Sequence, residues 1–170
     1  MSAHESAYEL AQLNIGIIKG PMDSPIMAQF AANLARINAL AEASPGFVWR
    51  LQTEAGDATA IRPFDNPNQL LNMSVWRDAD ALRRFVYRSA HADILKRRRE
   101  WFEPISDAIM VLWWVPRGER PSVAEAITRL KLLRTRGPHA EAFTFRNTFP
   151  APDAPASSAP GGFEDRCPAS

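Results

Sequence analysis

Read with the period of two that a strand imposes, Leu70-Leu71-Asn72-Met73-Ser74-Val75-Trp76 separates into two chemically different faces. Leu71, Met73 and Val75 make one; Asn72, Ser74 and Trp76 make the other. An ordinary half-buried strand puts charges or threonines on its second face, whereas an amide, a small hydroxyl and an indole suit the lining of a pocket. Gln12 and Asn14 share a face of an earlier alternating segment, and buried amides need partners. They can bond each other, Asn72 or Ser74 across a sheet, or they can stabilise an enolate or phenolate oxygen formed when a substrate is deprotonated. His91 lies on a helical apolar face; with an ordinary pKa of about 6.5 it can act as a base or a metal ligand, or simply pack and hydrogen-bond. Trp76, Trp49 and one of Trp113 or Trp114 can form an aromatic slot, although for each taken alone core packing is the better reading.

Lys96-Arg97-Arg98-Arg99 is a basic run. Consecutive helical positions point in different directions, so these charges form no single stripe, and salt bridges to Glu100 and Glu103 on a solvated face account for most of them. Arg98 differs. It falls on the side of His91 and Ile94, where it can reach a cavity and hold a carboxylate or another anion. Tyr87, shortly before His91, is a further ligand-binding candidate.

These residues need elements to position them. Tyr8 to Ile18 alternates and predicts a strand, broken by Gly20-Pro21. Ser24 before Pro25 is an N-cap signal, and Met27, Phe30, Leu34, Ile37 and Ala41 follow at helical spacing until Ser44-Pro45-Gly46. Phe47 to Gln52 and Leu70 to Trp76 read as strands. The connection Thr53 to Gln69 is long for a hairpin, and is either a lid or binding loop or a decorated hairpin. Asp78 caps the next helix, whose stripe starts with Leu82, Phe85 and Val86. Beyond Ser89 the stripe moves round to His91, Ile94, Leu95, Arg98, Trp101 and Phe102, which predicts a kink or restart near Ser89. Ile109 to Val115 is apolar throughout, so both faces of that strand should be covered. Ser122 caps a third helix through Leu133, ended by Gly137-Pro138, and Glu141 to Phe149 can add a short edge strand through Phe143 and Phe145.

Strand, helix, strand, strand, helix, strand is the split βαβ order of ferredoxin-like α+β domains. Two helices cover only one face of such a sheet, with Trp76 expected on the bare side. A second copy of the chain is the simplest cover, closing two sheets into a dimeric barrel; the third helix is the alternative. The domain is expected to span 8–149, with a flexible start at 1–7 and a disordered tail at 150–170 rich in proline, alanine and serine.

Composition narrows the function classes. The chain has 170 residues, 46% of them hydrophobic, and a net charge of +1, so no global field argues for nucleic acid or an anionic membrane. The one cysteine, Cys167, excludes an intramolecular disulfide and a cysteine-based metal cluster. No apolar run approaches the roughly 20 residues that span a bilayer, and no signal peptide is visible at Met1 to Tyr8. A cytoplasmic location is the expectation.

The element order, Asn14, the Asn72-Met73-Ser74-Val75-Trp76 strand and the segment from Tyr87-Arg88-Ser89-Ala90-His91 to Arg99-Glu100-Trp101-Phe102 together resemble a bacterial family of uncharacterised domains. That family is related to the antibiotic-biosynthesis monooxygenase-like superfamily of dimeric α/β barrels. The likeness covers Tyr8 to Pro150 and is most specific at Phe47 to Leu51 and Tyr87 to Phe102. It implies the fold and a homodimer. It also implies two chemistries. In relatives that oxidise polycyclic aromatics without metal or flavin, a substrate anion gives an electron to oxygen within an aromatic slot lined by amide donors. In haem-degrading relatives, a first-strand asparagine, a third-strand tryptophan and a helical histidine serve the haem; Asn14, Trp76 and His91 stand in similar places, with His91 as axial ligand. The leading expectation is an aromatic small molecule held by Asn14, Asn72, Trp76 and His91 with no cofactor. The alternatives are haem, or a binding or dimerisation module without catalysis.

Overall fold

A computed structural model describes residues 5–53, 56–59, 61 and 63–155. The chain runs β1 (Tyr8–Ile17), α1 (Ala28–Ala43), β2 (Phe47–Arg50), β3 (Gln69–Trp76), α2 (Ala79–Arg88), α3 (His91–Lys96), α4 (Arg98–Trp101), β4 (Met110–Pro116) and α5 (Val123–Arg136). The four strands form one antiparallel sheet in the order β2-β3-β1-β4. This is the ferredoxin-like arrangement, with α5 added.

Local chemistry explains the helix boundaries. Asp78 accepts a bond from the Ala81 amide at 2.8 Å and Ser122 one from the Glu125 amide at 3.1 Å, so α2 and α5 start on capped donors. Ser24 behaves differently from a simple cap: its hydroxyl donates to the Pro21 carbonyl, and a 3-10 turn at Pro25–Met27 precedes α1. α2 stops at Arg88 and α3 starts at His91, so the shift of the apolar stripe is a restart.

The register places alternate residues on two covered faces. Leu13, Met73, Val111 and Trp113 point to one side, beneath Ala126, Leu130 and Leu133 of α5. Trp49, Leu51, Ile61 and Phe64 pack against the same cluster from β2 and the loop after it. Leu10, Trp76 and Leu112 point to the other side, where Ala41 of α1, Leu82 of α2 and Phe143 meet them.

Two expectations about the sheet need correcting. Trp76 lies on the face that α1 and α2 cover, and the opposite face is closed by α5 of the same chain, so among the described residues the bare sheet face expected to call for a second copy is not there. Glu141 to Phe149 forms no edge strand. Phe143 makes a single bridge to Leu112, with reciprocal backbone bonds of 2.8 and 2.9 Å, and the chain then turns to bring Phe145 and Phe149 over the α2 side. The predicted tail is partly built in: Asp153 accepts bonds from the Ser6 hydroxyl and the Ala7 amide, each 2.8 Å. The start is held as well, since Arg117 pairs with Glu5 and bonds the Ser6 carbonyl. The rest of the expected tail, 156–170, lies outside the described residues, as does the start of the expected flexible segment, 1–4.

Candidate functional site

Between the α1/α2 face of the sheet and the helices lies a cavity of about 350 Å³. Its floor is made by β1 and β3. Antiparallel register sets Gln12 opposite Ser74 and Asn14 opposite Asn72, so four polar side chains form one compact patch in an otherwise apolar sheet. The Gln12 carboxamide donates both N–H groups, to Asn72 Oδ1 and Ser74 Oγ, each at 2.8 Å. Ser74 Oγ also accepts from the Trp76 indole at 2.8 Å. Gln12 and Ser74 are buried, and these bonds offset the cost of taking them out of water. Asn72 is exposed and lines the cavity, its amide N–H groups making no hydrogen bond among the described residues, and the Asn14 carboxamide lines the cavity beside it.

The roof comes from the helices. The restart at Ser89 turns His91 inward: the Ser89 hydroxyl accepts the His91 amide at 3.1 Å, and the ring Nδ1 lies 3.2 Å from the Val86 carbonyl. A carbonyl only accepts, so Nδ1 carries the proton and Nε2 keeps its lone pair. Burial pulls the His91 pKa below its ordinary value, partly opposed by the Val86 bond, so the imidazole is neutral at pH 7. Phe85 packs against it at 4.9 Å between centroids.

Arg98 arrives by a different route. After α4, the Glu103 backbone amide donates to the Ile17 carbonyl and the Lys19 backbone amide to that of Trp101, tying this segment to the end of β1. Phe102 then lies on Gly16: a Cβ there would stand 2.4 Å from the ring. The Arg98 guanidinium sits over the Phe102 ring at 4.9 Å and donates to the Ile15 carbonyl at 3.3 Å.

Of the sequence candidates, the cavity gathers Gln12, Asn14, Asn72, Ser74, Trp76, Tyr87, His91 and Arg98. Tyr87 stands at the rim, 51% exposed and edge-on to Phe145. Trp49 and Trp114 are not brought in. Trp49 packs against the α5-side cluster, because the irregularity in the β2 to β3 register sets it opposite Val75. Trp114 lies by Phe143 and donates to the Phe149 carbonyl at 2.9 Å. Trp76 is not a slot wall: it is 1% exposed, stacked on Phe85 at 5.1 Å and met edge-on by Phe47 at 5.4 Å. A tryptophan so enclosed has no ring face to press on a porphyrin, so the site does not fit the haem arrangement.

The apolar walls come instead from Phe30, Leu34 and Ile37 of α1, Phe85 of α2 and Phe102. Asn33 and Asn38 line the cavity too. Two asparagines interleaved with the apolar stripe of α1 were the available signal. The basic run is otherwise spread around its helices: Arg97 pairs with Glu100 at 2.7 Å, while Lys96 and Arg99 are exposed. Among the described residues no helix is long and apolar enough to cross a membrane.

Among solved structures, the chain is similar to SnoaB, a cofactor-independent oxygenase from Streptomyces nogalater, at 23% identity over 69% of this chain and 98% of that one, with a TM-score of 0.46. It is also similar to a protein of unknown function from Nitrosomonas europaea, at 14% identity over 68% of this chain and 95% of that one, with a TM-score of 0.43. No curated protein matches the sequence significantly. Residues 9–159 match the model of a domain of unknown function, DUF3291, and the chain belongs to that family.

Proposed function

We propose that this protein binds an aromatic or polycyclic small molecule in the cavity and oxygenates it without a cofactor. One observation carries the reading: a neutral imidazole whose Nε2 makes no hydrogen bond among the described residues lines the same cavity as the Asn14 and Asn72 carboxamides, between phenylalanine walls. Nε2 is suited to take a proton from an activated methylene or a phenol, and the amides to hydrogen-bond the oxygen on which the negative charge then rests. A cavity of this size is at the lower end of those that hold small ligands.

The substrate itself supplies the electrons. Its anion passes one electron to dioxygen, the two radicals combine, and loss of water from the peroxide leaves a carbonyl. In sum, CH2 + O2 gives C=O + H2O, with the two C–H bonds oxidised and dioxygen reduced. Apolar walls favour this course by keeping bulk water from the anion.

The test is oxygen uptake with a tricyclic ketone that has an acidic methylene, such as anthrone, together with quenching of tryptophan fluorescence. Enzyme-dependent uptake is expected, with one water formed per carbonyl. H91A and N72A should each lower the rate by about 10²-fold or more. Quenching without oxygen uptake would favour the non-catalytic binding module, and neither response would remove the ligand reading.

A further inference from the structure

The cavity wall contains one cation with no counter-charge among the described residues. Arg50, also in the wall, is answered: its Nε donates to Glu42 at 2.7 Å and Nη1 to the Gly56 carbonyl at 2.7 Å. Asp57 is occupied within its own loop by the Thr59 amide and hydroxyl, at 2.9 and 2.6 Å. Arg97, next in sequence to Arg98, is paired with Glu100. Arg98 makes no ion pair among the described residues, and its one hydrogen bond there is to the Ile15 carbonyl at 3.3 Å.

A guanidinium has five N–H donors in a planar fork. With one used, the others remain for a ligand. The side chain is half-buried, and burial lowers its pKa with no opposing contribution from a neighbouring carboxylate. A guanidinium nevertheless stays charged. The arrangement thus bears a desolvation cost that the Ile15 bond and the Phe102 ring offset only in part, with no carboxylate paired to it among the described residues. Arg98 is also held in place, by the Phe102 ring beneath it and by the absence of a Cβ at Gly16, which lets that ring lie on β1. A positioned, unpaired fork at the edge of an aromatic-walled cavity has the form of an anion anchor.

We propose that Arg98 binds a carboxylate on the ligand, so that this cavity takes an aromatic acid in preference to a neutral aromatic of the same size. This rests on reading the cavity as a ligand site. It adds a direction to the ligand: its acidic end lies at Arg98, beside Phe102 and Gly16, and its ring system extends between Phe30 and Phe85 toward the amides.

Calorimetric titration with 2-naphthoate and with 2-naphthol, which is neutral at pH 7, tests this on the wild type, R98Q and R98K. The wild type should bind naphthoate about tenfold or more tightly than naphthol. In R98Q that ratio should fall to near one, and R98K, which keeps the charge without the fork, should lie between. If R98Q does not fold, as judged by its melting curve, R98K alone decides: an unchanged ratio overturns the proposal. Equal binding of the two probes by the wild type also overturns it while leaving the cavity reading intact. Failure of both probes to bind removes the ligand site and this proposal with it.

Discussion

At the scale of single residues, His91 shows how a side chain of ordinary type acquires a particular state. Its pKa is lowered by burial, so the unfolded chain binds more protons than the folded one between the lowered value and the ordinary 6.5. Stability therefore rises with pH through that interval. The contribution is complete above 6.5 and is lost as the pH falls below it. The difference in unfolding free energy between the wild type and H91Q, measured in urea, should shrink from about pH 7.5 to about pH 5.5. A difference independent of pH would mean that the imidazole is as well solvated folded as unfolded. Trp76 shows the limit of residue type as a guide. Alternation put it correctly on the face of Asn72 and Ser74, but its depth depends on Phe47 of β2 and Phe85 of α2, which lie on other elements. It serves the cavity as a buried donor to Ser74.

Among elements, those that the sequence made plain are the ones with strong local chemistry. The capped starts of α2 and α5, the restart at Ser89 and the strands around Asn14 and Asn72 all follow from period and caps. The edge strand after α5 did not form, because Phe143 is drawn into the core beside Leu112 while its neighbours turn away. The loop between β2 and β3 serves both sides: Ile61 and Phe64 pack under the sheet, whereas Asp57, Ala58 and Thr59 line the cavity. Gly16 was unremarkable in a strand pattern, yet it decides how the α4 segment meets the sheet. Gly16→Ala would place a methyl group 2.4 Å from Phe102 Cδ1. We expect it to cost about 1–3 kcal/mol in urea unfolding, as overpacking does. Phe102→Leu in the same background should recover part of that loss, because the two positions share one contact.

At the scale of the whole molecule, the decisive addition is α5. It lies across β4 and β1 on the side that α1 and α2 leave open, and the β2 to β3 region completes the cover. With Met73, Val75 and Trp113 at most 1% exposed within one chain, no sheet face among the described residues is left bare for a partner to bury. Light scattering is accordingly expected to give the mass of one chain, 18.9 kDa. Twice that mass would show that copies pair through some other surface.

What the sequence by itself determined was periodic: which residues are helical or extended, which share a strand face, and the split βαβ order. These depend on neighbours within a few positions, and one chain written in order contains them. Only the tertiary structure decided which layer covers which face, how deep Trp76 lies, and that Trp49 and Trp114 stay out of the cavity while Phe30, Asn33 and Asn38 enter it. Those outcomes depend on contacts between segments tens of residues apart, where close packing admits one arrangement among many that share the same local pattern.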